Sequence, residues 1–489
     1  MRPLGKCRIQ LTNPNSKHKY KVEFTVVKDA DAEVNLLGSK AAQQMDLVTV
    51  KHSNLDSITS EGHVFGIHTP NWPGITKEQL LNQFSDVFEG LGELGEHLHL
   101  EVDDTTKPVQ LPTRRVPEAL KTPLRDHLQE LEQQGVIEKV TQPTDWVSGI
   151  VVAQKNNGKI RLCLDPRPLS SALKRSLYPI PTIEDVLPYL ANAKIFTKVD
   201  CKSGYWQVKL DTESSFLTTF NTPFGRYKWN RMAFGISPAG EIFQRRLDQA
   251  TEGLEGVRTV ADDLLVIGNG ITMEEAIADN DRKLTALLTR CRERNIKLNK
   301  EKIELKKTEM PYIGHLLTSN GVKADPTKID VIQNLTKPTD VQGVRRIMGM
   351  VNYLAKFLPK LSDISEPLRR LTRKETQFNW ATEHDQAFSE IKKLVAEPPL
   401  LKYYDPSKPL VLQCDASEKG LGAALLQEDR PLAYASRALT PTESNYAQIE
   451  KELLAIVFGM ERFHQYSYDR QVTVDSDPQP FGQPFSRKR

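Results

Sequence analysis

Hydrophobic residues recur three and four positions apart in two long stretches of the chain, and this spacing predicts amphipathic helices. The apolar stripes consist of Leu120, Leu124, Leu128 and Leu131 within residues 117–140, and of Val344, Met348, Val351, Leu354 and Leu358 within residues 341–358. Gly135 stands where the first helix is expected to end, because glycine readily adopts the left-handed conformation that closes many helices.

Short runs of β-forming residues that flank turn residues predict hairpins. Residues 149–165 place two apolar runs around Lys155–Lys159, which contains an Asn-Asn-Gly turn sequence. Residues 310–322 carry the turn signal Asn320-Gly321, and residues 193–211 are typical of a strand, a turn and a second strand.

The last part of the chain repeats this mixture. Residues 409–439 predict consecutive antiparallel strands, and residues 446–466 predict the helix that follows them. Strands and helices that alternate in this mixed order favour an α+β fold in more than one domain.

Composition places the chain among ordinary globular proteins. Its 489 residues exceed what one hydrophobic core supports, and 39% are hydrophobic while 26% are charged. No apolar run is long enough to span a bilayer and the N-terminus lacks the apolar core of a signal peptide, so we expect an intracellular, cytoplasmic protein with no membrane partner. Five scattered cysteines without a C-x-x-C pair indicate neither a zinc ribbon nor a disulfide framework.

The net charge of +3 says nothing about nucleic acid, but residues 282–307 are rich in lysine and arginine. Leu284, Leu287, Leu288 and Cys291 fall at helical spacing within this basic stretch. Taken alone, the pattern favours the solvated face of an amphipathic helix over a surface that contacts a nucleic-acid duplex.

Three aspartates stand at strand ends and carry the candidate chemistry. Asp200 closes one apolar run, and Asp262 and Asp263 immediately precede another. If these strands are neighbours, three carboxylates meet at one sheet edge, where only a cation offsets their repulsion. Oxygen ligands suit Mg²⁺ or Mn²⁺, and a pair of such ions stabilises the attacking and leaving oxygens of a phosphoryl displacement. An isolated pair of aspartates is more often a solvated turn, so the surrounding motifs decide.

The motifs around these acids resemble, in order and spacing, the reverse transcriptases of gypsy-type long-terminal-repeat retrotransposons. The five matching stretches are residues 97–120, 143–175, 178–211, 217–246 and 260–268. The resemblance extends from about residue 80 to about residue 478. A phosphate-binding G-x-x-x-x-G-K loop, which would favour a kinase, does not occur in the sequence.

The resemblance implies an α+β right-hand polymerase with fingers, palm and thumb, followed by a truncated ribonuclease H-like α/β domain. The expected segments are a protease remnant at 1–50, a linker at 51–100, fingers and palm at 101–325, the thumb at 326–375, a connection at 376–405 and a partial ribonuclease H-like domain at 406–489.

The resemblance also implies roles for individual residues. Asp200, Asp262 and Asp263 are expected to bind two Mg²⁺ or Mn²⁺ ions, and Tyr205 to exclude a 2′-hydroxyl on the incoming sugar. The expected nucleotide-binding residues are Lys155, Lys159 and Arg161 for the triphosphate, and Phe234 and Gly235 beside the nascent base pair. The expected primer grip is Tyr312, Ile313, Gly314 and His315.

Two departures from the family pattern lie close to this site. Val260 stands where a tyrosine often opens the acidic motif, and Gly240 stands where a proline is commoner. Both changes leave the carboxylates intact, so metal binding is expected to persist.

The two ends resemble further domains of the same elements. Asp415, Glu452 and Asp477 resemble the metal-binding acids of ribonuclease H, but "SDPQPF" replaces the family's "SDHKPL" and a fourth acid is missing, so we expect weak or absent cleavage of an RNA/DNA hybrid. Residues 33–50 resemble the end of a retroviral-type aspartic protease, and no Asp-Thr/Ser-Gly triplet precedes them. This remnant is expected to be inactive.

The leading hypothesis is therefore an RNA-directed DNA polymerase whose partners are an RNA template, a DNA primer, deoxynucleoside triphosphates and an RNA/DNA hybrid. It would act in the cytoplasm, including within virus-like particles. The alternative is a decayed element product that binds nucleic acid without catalysis, and primer extension separates the two. The oligomeric state stays open.

Overall fold

A computed structural model describes residues 3–12, 19–27, 74–154, 160–373 and 376–476. The chain divides into two compact units, Met1–Asn71 and Trp72–Arg489. In the first unit, β1 (Pro3–Thr12) and β2 (Lys19–Val27) form an antiparallel pair. The protease-like residues 33–50 lie outside the described residues, so the protease remnant stays a prediction.

All other described secondary structure belongs to the second unit. Its helices are α1 (Lys77–Gln83), α2 (Ser85–Phe88), α3 (Glu118–Gln133), α4 (Arg167–Ala172), α5 (Ile183–Val186), α6 (Thr212–Leu217), α7 (Ala239–Thr251), α8 (Met273–Glu293), α9 (Pro326–Gln333), α10 (Val341–Tyr353), α11 (Leu361–Ile364), α12 (Glu366–Arg370), α13 (Thr382–Ala396), α14 (Gln448–Arg462) and α15 (His464–Ser467).

Its strands are β3 (Ile137–Lys139), β4 (Gly149–Gln154), β5 (Ile160–Asp165), β6 (Ala193–Asp200), β7 (Phe220–Thr222), β8 (Gly225–Trp229), β9 (Val257–Val260), β10 (Asp263–Asn269), β11 (Glu304–Lys307), β12 (Glu309–Tyr312), β13 (His315–Thr318), β14 (Gly321–Ala324), β15 (Leu410–Ala416), β16 (Gly420–Gln427), β17 (Arg430–Ala438) and β18 (Val472–Ser476). Short 3-10 helices cover Leu187–Leu190, Gly204–Gln207, Ala355–Phe357 and Glu443–Asn445.

The central antiparallel sheet, ordered β11-β6-β10-β9, is the palm. Its strand β10 is buried on both faces because alternate side chains enter two different hydrophobic cores. Leu264 and Val266 pack with α8, whereas Leu265 and Ile267 pack with the primer-grip sheet and the thumb. The sheet therefore lies between two hydrophobic cores. Packing on both faces fixes the positions of the strand ends.

The fingers contain the predicted hairpin of β4 and β5, which pair in antiparallel register from Gly149 opposite Asp165 to Gln154 opposite Ile160. A three-stranded sheet, ordered β3-β8-β7, lies beside this hairpin. The turn at residues 155–159 lies outside the described residues.

Beyond the palm, β12, β13 and β14 form an antiparallel meander, and α9 and α10 share its core. The hairpin predicted at 310–322 is confirmed, with Thr318 paired to Gly321 across the Asn320-Gly321 turn. A tight turn at Ile313 and Gly314 joins β12 to β13.

The last sheet is ordered β17-β16-β15-β18, with antiparallel pairs except for β18, which runs parallel to β15. Helix α14 packs closely on one face, because Gly459 leaves room for Leu412 and Cys414 of β15. The consecutive strands predicted at 409–439 and the helix that follows them are confirmed.

Two predictions about local structure were wrong. The basic stretch 282–307 is not one helix: α8 ends at Glu293, Asn295 adopts a positive φ of 51°, and the stretch continues as a loop and β11. The second predicted strand within 193–211 begins instead as the 3-10 helix Gly204–Gln207. Positive φ values break regular elements, and side-chain periodicity does not reveal them.

The predicted linker 51–100 also differs from the structure in its described part. Residues 77–88 form α1 and α2, whose side chains Leu80, Phe84, Val87 and Phe88 are buried in the same core as the palm helices. This segment belongs to the same hydrophobic core as α7 and α8. Among the described residues, no helix combines the length and apolar character needed to cross a membrane.

Asn280 holds the palm strands to α8, and we predict that Asn280→Ala destabilises the fold. Its fully buried amide accepts from the Thr197 hydroxyl at 2.7 Å and donates to the Val266 carbonyl at 3.0 Å. Loss of these bonds leaves buried polar groups unpaired and is expected to lower the free energy of unfolding by about 1–3 kcal/mol in urea titrations. The exposed Asn352→Ala in α10 is the control and should change it little. Equal stability of both variants would contradict this role.

Candidate active site

The palm strands bring the three predicted acids together. Asp263 lies directly opposite Asp200 in the register of β10 and β6. Asp262 occupies the turn between β9 and β10, and its carbonyl accepts from the Cys201 backbone N–H at 2.8 Å. The acids are therefore neighbours in space, as the sequence predicts.

A side chain of α7, Gln244, fixes the turn that carries Asp262 by hydrogen bonds. Ala261 has a positive φ of 52°, and its N–H donates to Gln244 Oε1 at 2.7 Å. The buried Gln244 amide also donates to the Thr259 carbonyl at 3.1 Å. One side chain therefore fixes the backbone on both sides of Val260.

The carboxylates are crowded and partly desolvated. Burial, followed by the charge of Asp200, raises the pKa of Asp262 to about 6, and Asp262 Oδ1 is buried without a hydrogen-bond partner. Burial also raises the pKa of Asp263. When the carboxylates are ionised, the positive charges of the protein do not balance their negative charge. A bound divalent cation would supply the missing positive charge.

Lys302 is the one cation of the described structure that binds these acids directly. Its Nζ lies 2.8 Å from Asp200 Oδ2, and the loop that carries it is held at the end of β6, where the Asn299 N–H donates to the Asp200 carbonyl at 2.8 Å. Sequence reasoning missed Lys302, because it is one of many lysines in the basic stretch. Lys302 reaches Asp200 because β11, which follows it in the chain, pairs with β6 in the sheet.

The donor set fits Mg²⁺ or Mn²⁺, although the side chains are not closed around an ion. Across the described ranges, His, Cys, Asp and Glu side chains form no ready group of three at metal-binding positions. Asp200 is paired with Lys302, while the orphaned Oδ1 of Asp262 points to the need for a further cation. Asp200, Asp262 and Asp263 would supply the carboxylate oxygens that these ions prefer.

Tyr205 forms an aromatic layer beside the acids. Its ring centroid lies 4.8 Å from that of Phe234 and 5.7 Å from that of Phe243. Burial and the charge of Asp262 raise the pKa of its phenol. A Cβ on the preceding residue, Gly204, would overlap Asp262 Oδ1, so glycine is required for this close approach.

Phe234 and Gly235 connect this layer to the fingers. The Phe234 carbonyl accepts from the Leu164 N–H at 2.9 Å, and Gly235 has a φ of 111° with no room for a Cβ against the Leu164 carbonyl. The Arg161 guanidinium lies 5.5 Å from the Phe234 ring centroid. Arg161, Phe234 and Tyr205 thus form a continuous row. Lys155 and Lys159 lie outside the described residues.

The predicted primer grip is divided by burial. Tyr312 and His315 point into the core and are 2% and 4% exposed. Ile313 and Gly314 form the turn between them with φ values of 46° and 67°. Only this turn is presented for contact with another molecule.

Of the three predicted ribonuclease H-like acids, the structure describes Asp415 and Glu452. Asp415 is exposed, and its carboxylate lies 2.8 Å from Lys360 Nζ. Glu452 is buried on α14 and accepts from Gln448 Nε2 at 2.7 Å. Burial, followed by the charge of Glu452, raises the pKa of Cys414. Cys414 and Asp415 are consecutive in β15, so Glu452 and Asp415 lie toward opposite faces of the sheet. Asp477 lies outside the described residues.

The cations of the basic stretch are largely used within the protein. Lys283 is buried and its Nζ lies 2.6 Å from Asp279 Oδ2, while Arg292 pairs with Asp86 at 2.7 Å. Arg290 donates to the Ala250 carbonyl at 3.0 Å. The predicted solvated helix face is therefore only partly confirmed, because these three cations bind other groups of the protein.

The fold and the site together define a right-hand polymerase, with fingers, palm and thumb around a carboxylate-bearing sheet. Residues 153–317 match the family described as reverse transcriptase (RNA-dependent DNA polymerase). Residues 380–474 match the RNase H-like domain found in reverse transcriptase. The chain thus carries a reverse transcriptase domain followed by an RNase H-like domain.

Relatives place these domains in retrotransposon polyproteins. The retrovirus-related Pol polyprotein from transposon 412 of Drosophila melanogaster is 33% identical over 498 residues, which cover 95% of this chain and 39% of that protein. That from transposon 297 of the same organism is 32% identical over 363 residues, covering 73% and 34%. The chain is homologous to these Pol polyproteins, which confirms the resemblance to gypsy-type elements, and it spans less than half of their length.

Solved structures share the fold. The foamy viral protease-reverse transcriptase dRH in complex with double-stranded DNA superposes with a TM-score of 0.75 at 20% identity, covering 99% of this chain and 88% of that one. The foamy viral protease-reverse transcriptase in complex with an RNA/DNA hybrid gives a TM-score of 0.69 at 19% identity, covering 97% and 66%. The predicted α+β right-hand architecture is confirmed.

Because the pKa of Asp262 is raised, the stability of the metal-free protein is predicted to fall as the pH rises. A carboxyl whose pKa rises from 3.8 to about 6 on folding stabilises the folded state below pH 4, and this stability is lost as the pH rises through 6. The loss is at most about 3 kcal/mol, since one pKa unit is about 1.4 kcal/mol.

Asp262→Asn should therefore be more stable than the wild type at pH 8 and similar to it near pH 4, measured by urea unfolding with a chelator. The half-buried Asp405→Asn is not expected to gain stability at pH 8, since hydrogen bonds from Ser407 lower the pKa of Asp405. A wild type that equals Asp262→Asn in stability at pH 8 would contradict the crowding of the acids.

Proposed function

We propose that the chain is an RNA-directed DNA polymerase that extends a DNA primer on an RNA template with deoxynucleoside triphosphates. The observation that carries the proposal is the placement of Asp200 opposite Asp263, with the unpaired carboxylate of Asp262 in the adjoining turn. Clustered acids of this kind at a sheet edge hold the divalent ions of nucleotidyl transfer.

The side chains around the acids divide the work of substrate binding. Asp200, Asp262 and Asp263 would hold two Mg²⁺ or Mn²⁺ ions, which stabilise the attacking primer 3′-hydroxyl and the leaving pyrophosphate. Arg161, whose guanidinium lies 5.5 Å from the Phe234 ring centroid, would bind the triphosphate together with Lys155 and Lys159. Tyr205, packed between Phe234 and Phe243, supplies a rigid surface under the sugar.

Nucleic acid as partner is supported by the solved relatives with double-stranded DNA and with an RNA/DNA hybrid. Lys302 is exposed over most of its side chain, at 60%, although it pairs with Asp200. It is therefore free to leave Asp200 when substrate and metal bind, and its ammonium remains beside the reacting phosphates.

The proposal is tested by primer extension on an RNA template. Asp262→Asn combined with Asp263→Asn is expected to lower the extension rate at least about 100-fold, because preorganised charge at the reacting phosphate is removed. The matched control is Asp103→Asn with Asp104→Asn, which changes an adjacent pair of aspartates in the fingers. Full extension by the site variant, or no extension by the wild type in Mg²⁺ or Mn²⁺, would refute the proposal.

Cleavage of RNA in an RNA/DNA hybrid is expected to be weak or absent. The sequence "SDPQPF" stands where the family has "SDHKPL", and Glu452 lies beside Cys414, toward the face of β15 opposite Asp415. The measurement is a gel assay with a labelled hybrid in Mg²⁺, with Asp415→Asn for comparison. Robust cutting that disappears in Asp415→Asn would contradict this expectation.

A further inference from the structure

The turn between β12 and β13 has an unfavourable backbone that other residues must hold. Ile313 and Gly314 both have positive φ values, 46° and 67°. A β-branched residue rarely adopts this conformation, because its Cβ approaches the backbone too closely. Such a conformation persists only where its surroundings impose it.

Two side chains donate hydrogen bonds to the same carbonyl oxygen of this turn. The Ile313 carbonyl accepts from the Tyr353 hydroxyl at 3.2 Å and from His315 Nδ1 at 2.7 Å. Burial lowers the pKa of His315 to about 4, so the ring is neutral, and because a carbonyl only accepts, the proton is on Nδ1. His315 Nε2 is buried without a partner, which leaves the ring one hydrogen bond, to the turn.

The second donor comes from the thumb. Tyr353 is the last residue of α10, and a Cβ on Gly314 would overlap its hydroxyl oxygen. Four residues later, the Phe357 ring centroid lies 5.7 Å from that of His315. Between them, Lys356 Nζ lies 2.9 Å from Glu184 Oε1 of the palm helix α5. Residues 353–357 therefore tie the thumb to the turn and to the palm.

The outer side of the turn faces open space with a cationic lining. Gly314 and Tyr353 border a cavity of about 630 Å³, together with Lys328 and Arg346 from the thumb helices. Its remaining lining is mainly apolar, from Val331, Ile332 and Met350. Ammonium and guanidinium groups above an apolar floor are compatible with a nucleic-acid backbone beside the turn.

We propose that Tyr353 is a positioning residue for the primer 3′ end. Together with His315 it fixes the Ile313-Gly314 turn, so the orientation of the thumb sets where the primer terminus lies relative to Asp200, Asp262 and Asp263. This inference rests on the proposed polymerase function. It adds that the rate of nucleotide incorporation depends on the Tyr353 hydroxyl of the thumb.

The test is single-turnover nucleotide incorporation by Tyr353→Phe, which removes the hydroxyl and keeps the ring. At saturating template-primer the rate is expected to fall about fivefold, the effect of losing one hydrogen bond of typical strength. The dissociation constant for template-primer, from fluorescence anisotropy, and the melting temperature should stay at wild-type values. Tyr468→Phe, a 73% exposed tyrosine of the last domain, is the matched control.

A wild-type rate for Tyr353→Phe would overturn the inference. Weaker template-primer binding with an unchanged rate at saturation would overturn it as well, since the hydroxyl would then contact the duplex. His315→Asn retains an N–H donor near Nδ1 and should incorporate nucleotide faster than His315→Leu, which has no such donor. The reverse order would also contradict the role of His315 and Tyr353 in fixing the Ile313-Gly314 turn. A wild type that extends no primer would instead refute the polymerase proposal itself.

Discussion

The crowding of three carboxylates at the end of β6 and β10 is the constraint on which the rest of the palm depends. Antiparallel register sets Asp263 opposite Asp200, and the adjoining turn adds Asp262, whose pKa rises to about 6. Charges at such spacing would separate if their strands were free to move. The two cores that enclose β10 prevent this, and so the folded protein presents a site that favours cations.

The supporting residues hold the geometry of the site, and Asn280 also contributes to stability. Gln244 fixes the backbone around Val260 and Ala261, while Asn280 joins both acid-bearing strands to α8. Gly204 and Gly235 permit contacts that any Cβ would prevent. Each of these residues is explained by what lies next to it, and none of them needs to touch a substrate. A site that must hold like charges in place requires this surrounding rigidity.

The sequence predicted features that depend on local patterns. The hairpins at 149–165 and 409–439 follow from alternating apolar residues and turn chemistry, and the acids stand out because charge at a strand end is unusual. Lys302 could not be found in this way, since its contact with Asp200 joins residues 102 positions apart. The role of Tyr353 was hidden for the same reason, because a hydroxyl that reaches a carbonyl 40 positions away leaves no periodic signal. The basic stretch was expected to be a solvated helix face, but Lys283 pairs with Asp279 of the same helix and Arg292 pairs with Asp86 of α2.

The central claim is that Asp200, Asp262 and Asp263 form one cation site, and Mn²⁺ binding measured by electron paramagnetic resonance tests it most directly. The wild type and the ribonuclease H-like variant Asp415→Asn should bind Mn²⁺ at this site, whereas Asp200→Asn should bind it at least about tenfold more weakly. Equal Mn²⁺ affinity in the wild type and Asp200→Asn would show that the acids do not act as one site.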